Sequence, residues 1–91
     1  MRRAAKVDDN QGDIVKALRK IGVSVEVIGK PLDLLICHRG ETALMEVKNL
    51  DGRNAYTKEQ VEFIARWPGK IHTARTVDEA LRAVLGDKAM A

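Results

Sequence analysis

One cysteine, two prolines and a single residue each of Trp, Tyr and Phe are all that this chain of 91 residues has of those types. Each scarcity excludes something. A lone Cys37 cannot close an internal disulfide, so the fold is not a disulfide-stapled one; inside its apolar run it reads as a small buried hydrophobe, suited to a reducing compartment. So few aromatic rings leave little capacity for a stacking platform on single-stranded nucleic acid. Few prolines, no low-complexity segment, no internal repeat and no linker argue against disorder or a repeat array. No apolar run approaches membrane-spanning length. The basic start, Met1-Arg2-Arg3-Ala4-Ala5-Lys6-Val7, leads into Asp8-Asp9-Asn10 rather than into an apolar stretch, so no signal peptide is expected.

What is present is an ordinary globular composition, 45% apolar and 32% charged. Shorter pieces would bury too little surface to offset chain entropy, so residues 1–91 are expected to form one domain. A net charge of +3 is compatible with a polyanionic partner without establishing one.

Over residues 11–21, Ile14, Val15, Ala17, Leu18 and Ile21 recur at helical spacing, with Asp9 or Asn10 as the expected cap and Gly22 as the stop. Val23-Ser24-Val25-Glu26-Val27 alternates like a strand with one covered face, broken by Gly29-Lys30-Pro31. Leu34-Leu35-Ile36-Cys37 is apolar on both faces and reads as an interior strand. His38-Arg39-Gly40-Glu41 supplies a turn, and Thr42-Ala43-Leu44-Met45-Glu46-Val47-Lys48 a return strand. Thr57-Lys58-Glu59-Gln60 is a capping box opening a helix that Pro68-Gly69 stops. Thr76-Val77-Asp78-Glu79 is a second box, after a short strand in residues 70–75. The order α-β-β-β-α-β-α implies an α/β fold: a mixed four-stranded sheet flanked by helices, the last strand reached through a helical crossover, with a further C-terminal helix.

If Arg39-Gly40 is a two-residue hairpin loop, His38 faces Glu41, and counting outward puts Asp33 across from Glu46 on one face, with Lys48 two residues on. A one-residue slip would move Asp33 to the opposite face. Cross-strand neighbours have Cβ atoms about 4.5–5.5 Å apart, where like charges are destabilising unless compensated. A divalent cation such as Mg²⁺, which takes one or two carboxylates, is the natural compensation. Lys48 would add positive charge where phosphate charge builds up and assist the attacking water. The plain alternative is a strand-end Asp33 beside a surface Glu46–Lys48 pair.

The chain resembles the PD-(D/E)XK nucleases, specifically the small stand-alone VRR-NUC members of phages and bacteria. The resemblance covers almost the whole chain. It rests on Arg2-Arg3-Ala4-Ala5, Asp9-Asn10-Gln11-Gly12-Asp13-Ile14-Val15, Pro31-Leu32-Asp33-Leu34-Leu35, Glu46-Val47-Lys48, Trp67-Pro68-Gly69 and Thr76-Val77-Asp78-Glu79-Ala80-Leu81. It implies a restriction-endonuclease-like αβββαβ core and a Mg²⁺- or Mn²⁺-dependent deoxyribonuclease. Asp33, Glu46, Val47 and Asp13 are then the metal-binding positions, and Lys48 assists hydrolysis. The chain departs from the family in two ways: Leu32 separates Pro31 from Asp33, where a bulge would keep Asp33 aimed, and Asp13 stands where a Glu is usual. Asp13 also suits the first turn of a helix simply as an acid.

Gln60 has two readings, a helix cap and a polar group near the reacting water, and is counted with the catalytic set. Arg2, Arg3, Lys6, Arg53 and Lys58 flank the site as candidate phosphate contacts, salt-sensitive and indifferent to sequence. Tyr56 is a candidate DNA contact, or packing beside a helix cap. His38 and His72 lack metal-ligand spacing. The resemblance further implies branched DNA as substrate, the cytoplasm of a bacterial or phage-infected cell, and a homodimer to which Phe63 and Trp67 could contribute, unless both belong to the core. Two other functions compete with an endonuclease: a non-cleaving DNA-binding module on the same fold, and a protein-interaction domain whose charges are a solvated face.

Overall fold

The structure is a computed structural model that describes residues 3–49 and 55–86, with side chains from Asn10 onward. The elements follow in the order α1 (Arg3–Lys20), β1 (Ser24–Val27), β2 (Leu34–His38), β3 (Glu41–Val47), α2 (Lys58–Arg66), β4 (Lys70–Ala74) and α3 (Val77–Leu85). The four strands make one sheet in the order β1-β2-β3-β4, with β1, β2 and β3 antiparallel and β4 parallel to β3. The expected α/β architecture and the crossover through α2 are both present. Among the described residues no helix is long and apolar enough to cross a membrane.

The first helix differs from its sequence expectation at one end. It begins at Arg3, so Asp9 and Asn10 lie inside it and neither caps it. Arg3-Ala4-Ala5-Lys6 are strong helix formers, and they extend the helix beyond the stretch whose apolar spacing marks a packed face. Its other end is as expected. Gly22, at φ +93°, sits where the chain turns left-handed, and Val23 N–H to Leu18 C=O with Gly22 N–H to Arg19 C=O closes a Schellman motif.

The β2–β3 register is the one the two-residue turn implies. Arg39 and Gly40 have φ of +52° and +82°, the positive values that a type I′ turn needs at both central positions. His38 faces Glu41, and the pairing runs without interruption to Leu34 opposite Met45. One further step puts Asp33 opposite Glu46. The extra residue Leu32 is not absorbed by a bulge in this ladder. It lies in the β1–β2 connection, fully buried, where Ile28 and Gly29 N–H groups both donate to the Asp33 carbonyl at 2.9 and 3.1 Å.

One face of the sheet carries the core. Val25, Leu34, Ile36, Ala43, Met45 and Ala74 pack with Ile14, Val15 and Leu18 of α1 and Ala80 of α3. Ile14, Leu18, Leu34 and Met45 have no exposed surface, and each such side chain contributes about 1.5–3 kcal/mol of burial. The other face holds Leu35, Leu44 and Glu46 and is only partly covered. Leu35, on the interior strand read as apolar on both sides, is 37% exposed, and Cys37 is half-buried rather than enclosed.

Helix α2 opens with the expected capping box, Thr57 and Gln60 each bonding the other's backbone N–H at 3.1 Å. It buries none of its residues fully. Phe63 and Trp67 stack with ring centroids 5.1 Å apart, and the Trp67 ring folds so closely over Gly69 that a Cβ there would meet Nε1 at 2.7 Å. The second box is half-formed. Thr76 accepts from Glu79 N–H, but the Glu79 carboxylate takes the N–H of Arg75 instead of that of Thr76.

Arg39 occupies a left-handed position that Asn tolerates far better. Arg39→Asn is therefore expected to stabilise the fold by about 0.5–1 kcal/mol, raising the melting temperature by about 2–8 °C. The shift is read by thermal denaturation, and no rise would mean the turn is not held as described.

Candidate functional site

Asp33 and Glu46 meet at the open end of β2 and β3. Asp33 N–H donates to Glu46 Oε1 at 3.2 Å, and Val47 N–H donates to Asp33 Oδ2 at 2.8 Å. Each carboxylate is thus tied to the other's strand. Burial holds the Asp33 carboxyl above its ordinary value of 3.8; the Val47 N–H opposes this, the neighbouring Glu46 raises it further, and Lys48 pulls it back. Glu46 is itself buried.

Lys48 completes the group. Its ammonium lies 3.4 Å from Glu46 Oε2, donates to the Ala55 carbonyl at 3.1 Å and sits over the Tyr56 ring, 4.3 Å from the centroid. With only 9% of its surface exposed, Lys48 is held among these acceptors and is not a solvated surface charge. The alternative of an ordinary exposed Glu–Lys pair does not describe this geometry.

The cap reading of Gln60 holds, and the same side chain also touches the acidic pair. Its Oε1 caps α2, and its Nε2 donates to Glu46 Oε2 at 3.1 Å and to the Pro31 carbonyl at 3.2 Å. Val47 offers its N–H to Asp33. Along an extended strand the carbonyl of a residue leaves on the same edge as its N–H, so the Val47 carbonyl also faces the Asp33 side.

Asp13 is not gathered into the site. It is exposed on α1, and among the described residues no group of three or more His, Cys, Asp or Glu side chains could hold a metal ion. Among the described side chains of α1, Asn10 comes up to the site: its Nδ2 donates to the Lys48 carbonyl at 2.9 Å and to that of Arg75 at 3.4 Å. The sequence offers Asn10 as a cap; the signal for its place in the structure is its position four residues before Ile14, on the stripe that faces the core.

Of the expected DNA contacts, Arg2 and Arg53 lie outside the described residues, and Arg3 and Lys6 are on α1 without described side chains. Lys58 is exposed at the start of α2. Tyr56 hydrogen-bonds Thr73 Oγ1 on β4, a contact with no sequence signature. His38 and His72 line a cavity of about 520 Å³ between α3 and the hairpin end of the sheet, away from the acidic pair. Burial, with Lys70 nearby, pushes His72 below its usual value.

The residues present fit a hard divalent cation. Two carboxylates converge, and the repulsion from Glu46 that adds to the larger effect of burial on Asp33 is what a cation would relieve; one or two carboxylates suffice for Mg²⁺, water and phosphate filling its other positions. Searches of protein-family models, curated proteins and solved structures gave no match to this chain.

Because the folded-state pKa of Asp33 is raised, its ionisation costs stability, and that cost appears as pH rises from about 4 through the raised value. Asp33→Asn should therefore raise the melting temperature of the metal-free protein near pH 7 by about 2–5 °C, the gain vanishing toward pH 3. Added Mg²⁺ should stabilise the parent and not the variant. Melts across pH, with and without Mg²⁺, check both statements.

Proposed function

We propose that this protein is a Mg²⁺- or Mn²⁺-dependent DNA endonuclease that hydrolyses phosphodiester bonds, of the PD-(D/E)XK type and similar to the stand-alone VRR-NUC enzymes. The observation that carries the reading is the convergence of Asp33, Glu46 and Lys48 at one end of β2 and β3, with the two carboxylates in register. Asp33 and Glu46 would hold the cation, with Val47 on the same edge. Bound there, the cation supplies Lewis-acid stabilisation of the charge that develops on a phosphodiester.

The chain's own groups do the rest. Lys48 places a fixed positive charge beside the pair, where phosphate charge would build up. Gln60 holds Glu46 Oε2, and the Asp33 N–H holds Oε1, so the carboxylate cannot rotate freely. Recognition would rest on backbone phosphates and DNA shape, with branched DNA as the preferred class and a homodimer supplying a site to each of two strands.

A second reading, a DNA-binding module without cleavage, is favoured by one observation: no third acid joins Asp33 and Glu46 among the described residues.

The deciding experiment is cleavage of labelled duplex, single-stranded, flap and four-way-junction DNA with Mg²⁺, Mn²⁺ or EDTA. Glu46→Gln and Lys48→Ala are each expected to lower kcat by at least about a hundredfold while leaving the fold and most DNA affinity intact. Cleavage undiminished by either variant would remove the role given to that residue. Salt-sensitive binding with no cutting by the folded parent would select the binding module.

A further inference from the structure

We propose that Tyr56 is the positioning residue for Lys48, holding its ammonium beside Glu46 through the aromatic face, with Thr73 as the anchor of the ring. The catalytic part of this inference rests on the nuclease reading; the positioning part does not.

Lysine ends in a flexible four-carbon stem with three rotatable donors, so a lysine that must act at one point has to be immobilised. Three features locate the Lys48 ammonium: Glu46 Oε2, the Ala55 carbonyl and the Tyr56 ring. The first two are ordinary acceptors. The third is a π face at a distance where cation–π attraction operates. Tyr56 leads directly into the Thr57 cap of α2, and its hydroxyl pairs with Thr73 Oγ1. Thr73 is the residue of β4 that stands directly beside Glu46 in the parallel register. The contacts therefore close a frame: Glu46 to Lys48, Lys48 to Tyr56, Tyr56 to Thr73, and Thr73 back to Glu46 across the sheet.

This geometry argues against Tyr56 as a DNA contact. Its hydroxyl and one ring face are already engaged, the hydroxyl by Thr73 in an exposed pair and the face by the buried Lys48. Phenylalanine would keep the ring face and lose the anchor. Leucine would keep much of the bulk and lose the face.

Two measurements on the full chain test the proposal, using Tyr56→Phe, Tyr56→Leu and Thr73→Val, with melting temperatures recorded for each. The first is competitive trace acetylation with acetic anhydride at fixed pH, with Lys48 read against exposed Lys16 and Lys30 by mass spectrometry. Lys48 should be acetylated several-fold faster in Tyr56→Leu than in the parent, and near the parent rate in Tyr56→Phe. Equal Lys48 reactivity in the parent and in folded Tyr56→Leu would overturn the proposal.

The second is cleavage kinetics. Tyr56→Leu should lose about tenfold in kcat with KM nearly unchanged, Tyr56→Phe should stay within about threefold, and Thr73→Val should fall between them. A rise in KM with kcat intact would restore Tyr56 as a DNA contact and overturn the positioning role. If the parent does not cleave DNA, the nuclease reading fails, while the acetylation series still decides whether Tyr56 positions Lys48.

Discussion

The pairing of β2 with β3 is the constraint on which the site depends. Side chains alternate across a sheet with a period of two, so the two-residue turn at Arg39-Gly40 decides the face of every residue in both strands. With His38 opposite Glu41, Asp33 and Glu46 share a face and an end. Parallel addition of β4 then sets Thr73 beside Glu46. A slip of one residue would bury Asp33 among Leu34-facing core and leave Glu46 alone. Selecting against that slip is the apolar pattern itself, since Leu34 and Ile36 would lose the core together.

The two faces of the sheet differ in kind: one carries the stability, the other the candidate site. Helices α1 and α3 close one face around side chains with no exposed surface, which is where the burial energy lies. The other face is left partly open, with α2 lying beside it and burying none of its own residues fully. Under the proposed function, an open face is what a large polyanion would require. It is also where a repulsive pair of acids can persist, because the closed face supplies the stability that such a pair subtracts. Gln60 joins the two functions: one side chain both caps α2 and grips Glu46, so the start of that helix and the orientation of that carboxylate are fixed together.

Much of this was legible in the sequence because it follows from local rules. Alternation, the turn chemistry at Arg39-Gly40 and the box at residues 57–60 identified the strands, their register and the second helix, and counting from the turn placed Asp33 against Glu46. The parts that were not legible depend on tertiary contact or on propensity without a packed face. The first turns of α1 carry no apolar stripe, so their helicity was missed. Asn10 reaches carbonyls 38 and 65 residues away in the chain, and Tyr56 finds Thr73 across 17. No spacing rule spans such separations. Leu35 misled in the opposite direction: apolar character on both faces of an interior strand was read as cover on both faces, whereas only one is closed.

The two positions at which the sequence departs from the nucleases it resembles have different physical settings. Leu32 is an insertion in a connection, and a connection can take an extra residue without disturbing the ladder on either side; here it turns inward and is buried while Asp33 keeps its register. Asp13 sits on a helix whose orientation is already fixed by Ile14 and Leu18. Three residues along a helix is a rotation about 60° short of a full turn, so bringing Asp13 to the azimuth of Asn10 would swing both core side chains toward solvent. That exchange costs far more than one carboxylate ligand returns. Among the described side chains of α1, the one turned to this end of the sheet is Asn10, a neutral residue whose amide ties the ends of β3 and β4 to α1. Among the described residues the centre has two carboxylates and a buried ammonium, a set that under the proposed function would suit a weakly held Mg²⁺ completed by water and substrate phosphate more than a tightly caged metal.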